Sequence, residues 1–125
     1  MLTSMTKMLA HEAFELRPGT DKSGLLLLCD HARNHVPPEY GSLGLAPAQF
    51  ERHIAYDIGA RDLTLGLAKK FEVPALLTCH SRLLIDPNRG LDDPTLIMKL
   101  SDGAVVPGNA AVDEAERERR IALYW

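Results

Sequence analysis

At 125 residues, with 46% hydrophobic and 25% charged side chains, the chain has room for one hydrophobic core and not for two independent domains. Its 14 basic residues against 17 acidic ones give a formal charge of -3, and no basic run precedes Arg117, so neither nucleic acid nor an anionic membrane is expected as a partner. The apolar stretch Leu25–Cys29 falls well short of the roughly 20 residues that a membrane-spanning helix needs.

In chain order, residues 1–23 show no clear period, and Pro18-Gly19 followed by Asp21-Lys22-Ser23-Gly24 is turn chemistry, so this part reads as a leader into the fold. His11, Glu12 and Glu15 interrupt the apolar stretch that a secretory signal would need, and a cytoplasmic protein is expected. The run from Gly24 to Asp30 reads as a strand buried on both faces of a parallel sheet, with polar residues at the carboxyl end where α/β sheets place ligands. Residues 31–47 carry Pro37, Pro38, Gly41 and Gly44 and read as a loop. From Pro47, the residues Phe50, Ile54, Ile58, Leu63, Leu65 and Leu67 continue a broadly helical pattern to Phe71, weakened by Gly59 and Gly66. Val73-Pro74 ends that helix. Ala75–Cys79 then predicts a second strand and Arg82–Asp86 a short third one, so strand, loop, helix and strand form a crossover unit. A Pro- and Gly-punctuated stretch runs to Asn109, and residues 110–120 predict a charged helix with a solvated face.

Three groups of residues carry candidate chemistry. Asp30, His31, Asn34 and His35 follow the first strand, as metal ligands or acid/base groups or, alternatively, as turn caps and loop residues. His53 and Asp57, four apart on the predicted helix, would share a face, either around a ligand or as a solvated ion pair. Ser81-Arg82-Leu-Leu-Ile-Asp86-Pro-Asn88-Arg89 sets two guanidinium groups, a carboxylate and an amide at a strand end. That combination suits a carboxylate ligand, since Arg grips both oxygens, Asn adds a donor and Asp86 holds an Arg in place; the alternative is an Arg–Asp clamp that locks a loop. Cys29 lies inside an apolar run with no electropositive neighbour, so it and Cys79 are read as packed, reduced thiols and not as nucleophiles.

Four segments, Cys-Asp-His-Ala-Arg-Asn from Cys29, His53-Ile-Ala-Tyr-Asp57-Ile-Gly-Ala, Ser81-Arg82 through Asp86-Pro-Asn88-Arg89, and Ser101-Asp-Gly through Pro107-Gly-Asn109, stand in the order found in N-formylglutamate amidohydrolases, and together the chain resembles that family. The resemblance implies an α/β, phosphorylase/hydrolase-like fold similar to that of zinc carboxypeptidases and aspartoacylases, a three-layer arrangement with a parallel or mixed sheet flanked by helices, here in part. It also implies a small acidic N-acyl amino acid as substrate, with N-formyl-L-glutamate hydrolysed to formate and glutamate. By the same likeness Arg82, Asp86, Asn88 and Arg89 would bind the substrate carboxylate. His31 would begin a divalent metal site, zinc in those relatives. Three positions on, where the relatives carry an acidic residue, stands Asn34, so Asp30 or Asp57 would supply the carboxylate instead, with His31 and Asp57 as the expected metal pair and Asp30 and Asp57 beside His31 as the catalytic candidates. The relatives supply a later histidine and a catalytic acid, whereas no histidine follows His80 here, so residues 1–125 are expected to be one partial domain. The competing expectation is a truncated, non-catalytic remnant or a domain that binds acidic ligands.

Overall fold

A computed structural model describes residues 12–125, so the part of the predicted leader before residue 12 lies outside the described residues. Three short strands make the main sheet: β1 (Phe14–Arg17), β2 (Leu27–Cys29) and β3 (Ala75–Thr78), in the order β1-β3-β2. β2 runs parallel to β3, with Leu27 opposite Ala75, and β1 runs antiparallel to it, with Phe14 opposite Thr78. The sheet is therefore mixed. Helix α1 (Ala60–Phe71) connects β2 to β3 and covers one face, where Ala60, Leu65 and Ala68 meet Leu27, Cys29, Ala75 and Leu77. The opposite face carries Phe14, Leu16, Leu28 and Leu76; residues 122–125 border it across a cavity, and Phe14, Leu16 and Leu28 stay more than half exposed.

Four expectations about the sheet and its connections need correction. β1 falls within the expected leader, where Phe14 and Leu16 alternate with Glu15 and Arg17; a four-residue run of that period is too short to stand out from sequence alone. The strand expected from Gly24 shrinks to Leu27–Cys29, and Leu25, Leu26 and Leu28 are more than half exposed instead of buried on both faces. The long helix from Pro47 divides into a 3-10 turn (Pro47–Glu51), an irregular segment and α1. The break has a hydrogen-bond cause, because the Ala55 carbonyl is taken by Ser81 Oγ at 2.8 Å and the Arg82 amide at 3.3 Å, and Gly59 sits at φ +83°, outside helical space. Arg82–Asp86 is a turn and not a strand. Its carbonyls go to side chains: Leu83 to Asn109, Leu84 to Arg120 and Ile85 to His80.

The larger core lies under these loops. Leu43, Ile54, Ala55, Leu83, Leu84, Ile85, Leu96 and Val106 are its most buried members. The hairpin β4 (Leu100–Ser101) with β5 (Ala104–Val105) and the terminal helix α2 (Glu114–Tyr124) close it. α2 starts and ends later than the expected 110–120, since Asp113 caps it by accepting from the Glu116 amide at 2.9 Å, and Arg120 and Tyr124 turn inward. Gly108 passes so close to Leu43 that an added Cβ would lie 2.7 Å from its Cα, which seats the 3-10 turn Pro107–Asn109 on that core. Among the described residues no helix is long and apolar enough to cross a membrane.

Candidate functional site

Asp86 is the centre of the site. It is 1% exposed, and its carboxylate accepts four hydrogen bonds: at Oδ1 from His31 Nε2 (2.7 Å) and the Asn88 amide (3.0 Å), at Oδ2 from Arg82 Nη2 (2.9 Å) and Arg89 Nε (3.1 Å). Burial alone would raise its pKa. The hydrogen bonds from His31 and the Asn88 amide, with the charge of Arg82, outweigh that and hold the carboxyl well below the usual range, so it stays ionised.

A permanently ionised acceptor fixes the histidine. The Nε2 hydrogen of buried His31 points at Asp86, which turns Nδ1 outward. That nitrogen lies 3.4 Å from Asp57 Oδ2 and 3.4 Å from Arg82 Nη1, and Arg82 Nη1 is in turn 3.9 Å from Asp57 Oδ1. Asp57 is held in place through its own backbone, whose amide donates to the His31 carbonyl at 2.9 Å, while half its side chain stays open to solvent. Arg89 also reaches Thr95 and stands 4.0 Å from Asp93. Asn88 joins through its amide, and its side chain is exposed.

Six of the seven candidate site residues thus converge: His31, Asp57, Arg82, Asp86, Asn88 and Arg89. Asp30 does not join them, since it lines a cavity of about 340 Å³ with Phe14, Leu28, Leu76 and the end of α2. Adjacent residues leaving a strand face opposite ways, so His31 and Asp30 separate. His53 and Asp57 do not share a helix face either. The segment is irregular, and exposed His53 pairs with Asp102 Oδ2 at 3.2 Å beside Arg52. Asn34 donates to the Phe50 carbonyl at 2.8 Å, tying the loop to the 3-10 turn Pro47–Glu51, and the His35 carbonyl accepts from the Ser81 amide at 2.6 Å, holding the loop against the site turn. Cys29 and Cys79 are free thiols, and burial pushes Cys79 up, away from nucleophilic use. Sequence reasoning missed Asn109 and Arg120, which grip the turn from behind, although the Pro107-Gly-Asn109 segment was a visible signal.

Residues 23–125 match the family model of N-formylglutamate amidohydrolase. The chain belongs to the N-formylglutamate amidohydrolase family. Its structure is similar to that of the gene product Atu2144 from Agrobacterium tumefaciens, with a TM-score of 0.83 and 32% identity over 92% of this chain and 46% of that one. The chain therefore spans about half the length of that structure. No curated protein matches it.

For this family member a divalent ion was an expectation, and the donor chemistry fits one in part. An imidazole nitrogen directed outward by a carboxylate behind it is the usual arrangement at metal-bound histidines, and Asp57 offers an oxygen beside it. That makes two donors. Among the described residues no group of three or more His, Cys, Asp or Glu could hold a metal ion.

Proposed function

We propose that the chain carries the substrate-recognising part of a hydrolase that cleaves N-formyl-L-glutamate, or a related N-acyl amino acid, to formate and the free amino acid. The observation behind it is the double use of Asp86, one oxygen orienting His31 and the other aligning Arg82 and Arg89. Two guanidinium groups set side by side, with N–H groups to spare, suit a substrate carboxylate, and exposed Asn88 adds a neutral donor next to them. His31 Nδ1 and Asp57 would hold a divalent ion, zinc by chemistry, with its remaining ligands from outside the described residues. Such an ion supplies a Lewis acid for the amide carbonyl and a water of lowered pKa. His31 and Asp57 keep the reacting end beside the arginines, so one short ligand spans both. A three-layer carboxypeptidase-like fold, a cytoplasmic setting and a small-molecule partner instead of nucleic acid or membrane belong to the same proposal.

A second reading, an acidic-ligand-binding domain without catalysis, is favoured by the count of only two metal donors among the described residues. Formate release from N-formyl-L-glutamate with added zinc supports the enzyme, whereas calorimetric binding of the same amide with no formate supports the binding domain. Arg89→Ala should weaken binding, read as KM or Kd, by about tenfold or more, the size of one charge-assisted hydrogen bond. Unchanged affinity in that variant removes the carboxylate assignment.

A further inference from the structure

The turn that carries Arg82 and Asp86 is not built by a sheet ladder, and what replaces the ladder is a pair of buried polar side chains from distant sequence. Asn109 is fully buried, and its Nδ2 donates to the Leu83 carbonyl at 2.7 Å and the Met98 carbonyl at 2.8 Å. Its Oδ1 accepts from Arg120 Nη1 at 2.7 Å, so both its donor hydrogens and its acceptor are engaged. Arg120, 2% exposed, also donates to the Leu84 carbonyl at 3.0 Å, and its Nε donates to Glu116 at 3.0 Å. Its guanidinium lies 4.7 Å from the centre of the Tyr40 ring. Leu83, Leu84 and Ile85 stand between Arg82 and Asp86, so these bonds fix two of the four peptide units that set the distance and direction between the site's guanidinium and its carboxylate.

A packed arginine costs far more desolvation than a leucine would, and a merely structural role could be filled by apolar side chains of similar volume. What apolar side chains cannot do is bond two successive carbonyls and hold a turn at one pitch. We propose that Asn109 and Arg120 are positioning residues, acting through the Leu83-Leu84 backbone to aim Arg82 and Asp86, and through Asp86 to hold His31 in its Nε2–H form. The role rests on the site described above being the ligand site, but its first readout needs no ligand.

The imidazole nitrogen NMR signals of His31 report the tautomer directly. The wild type should show one species, protonated at Nε2. Asn109→Asp, which removes both donors, and Arg120→Lys, which keeps the charge but cannot reach the same acceptors together, should each give a mixture of tautomers and weaken N-formyl-L-glutamate binding by about tenfold, roughly one hydrogen bond. Should Asn109→Asp fail to fold, Arg120→Lys decides. Leu65→Ala, a destabilising change in the sheet core, should leave both readouts at wild-type values. A wild-type His31 spectrum in the folded variants overturns the proposal, as does an equal change in Leu65→Ala. If tautomers mix while no chain binds the amide, the positioning role stands and the substrate reading falls.

Discussion

The two cores of this chain are held by different means. Around the site, turns and 3-10 segments are fastened by side chains that bond backbone carbonyls: Ser81 to Ala55, Asn109 to Leu83 and Met98, Arg120 to Leu84. In the sheet, regular ladders do the fastening, but one face stays open, with Phe14, Leu16 and Leu28 each more than half exposed. Regular structure is therefore no guide to where this protein is most firmly specified. Its irregular half contains most of the fully buried residues, although Ala75 and Leu77 of the sheet join them, and it contains the site.

The largest test of that comparison is Asp86→Ala. It leaves His31, Arg82 and Arg89 without their shared acceptor in a buried position, and loss of one partner from such a cluster costs about 3–5 kcal/mol. Chemical denaturation should show it as a large fall in midpoint. A loss below about 1 kcal/mol, the range of exposed pairs, would mean that solvent screens the cluster and that Asp86 does not hold the turn. Next comes Leu84→Ala, a fully buried truncation in the loop core, expected to cost roughly 2–5 kcal/mol by the same measurement.

A smaller effect separates the two halves by pH. His80 is buried and donates to the Ile85 carbonyl at 3.3 Å; burial lowers its pKa, with that bond opposing only in part. The unfolded chain accepts a proton near pH 6.5 that the folded one resists, so this contribution is complete above that pH and is lost as pH falls below it. Stability should fall by at most about 1.4 kcal/mol per pH unit from this group. His80→Gln keeps a donor without the titration and should flatten the slope between pH 6.5 and 5.5. The same slope in both proteins would assign it to other groups.

What the sequence revealed and what it hid follow from the range of the interactions. The Asp86 cluster was legible because Arg82, Asp86, Asn88 and Arg89 are close together in the chain and set opposite charges at the end of an apolar run. Its conformation was not. Leu83-Leu84-Ile85 has the apolar character of a strand, and the turn that Ser81 closes through the Leu83 and Leu84 amides is held by Asn109 and Arg120 from over twenty residues away. His53 and Asp57 were misjudged for the same reason: a four-residue spacing means a shared face only inside a helix, and the bonds to the Ala55 carbonyl prevent that helix. Asp57 reaches His31 instead, while His53 turns to Asp102. The mixed α/β class survived, because the β2-α1-β3 unit rests on local pattern and on the short return through Val73-Pro74.

The smallest expected effect is the most discriminating. Leu25–Leu28 has the composition of a strand buried on both faces, yet Leu28 is 61% exposed, on the side of the sheet away from α1. If that face meets water, Leu28→Lys removes little burial and should change stability by no more than about 0.5 kcal/mol, as exposed positions do. Leu84→Ala provides the reference for a covered position in the same molecule. Equal losses at the two positions would show that the sheet face is covered in solution, and light scattering on wild type and Leu28→Lys would then tell whether a second copy provides the cover, since only self-association makes the lysine lower the measured mass. A negligible loss with unchanged mass leaves the contrast as drawn, with a closely packed core beneath the site turn beside a sheet that is covered on one face.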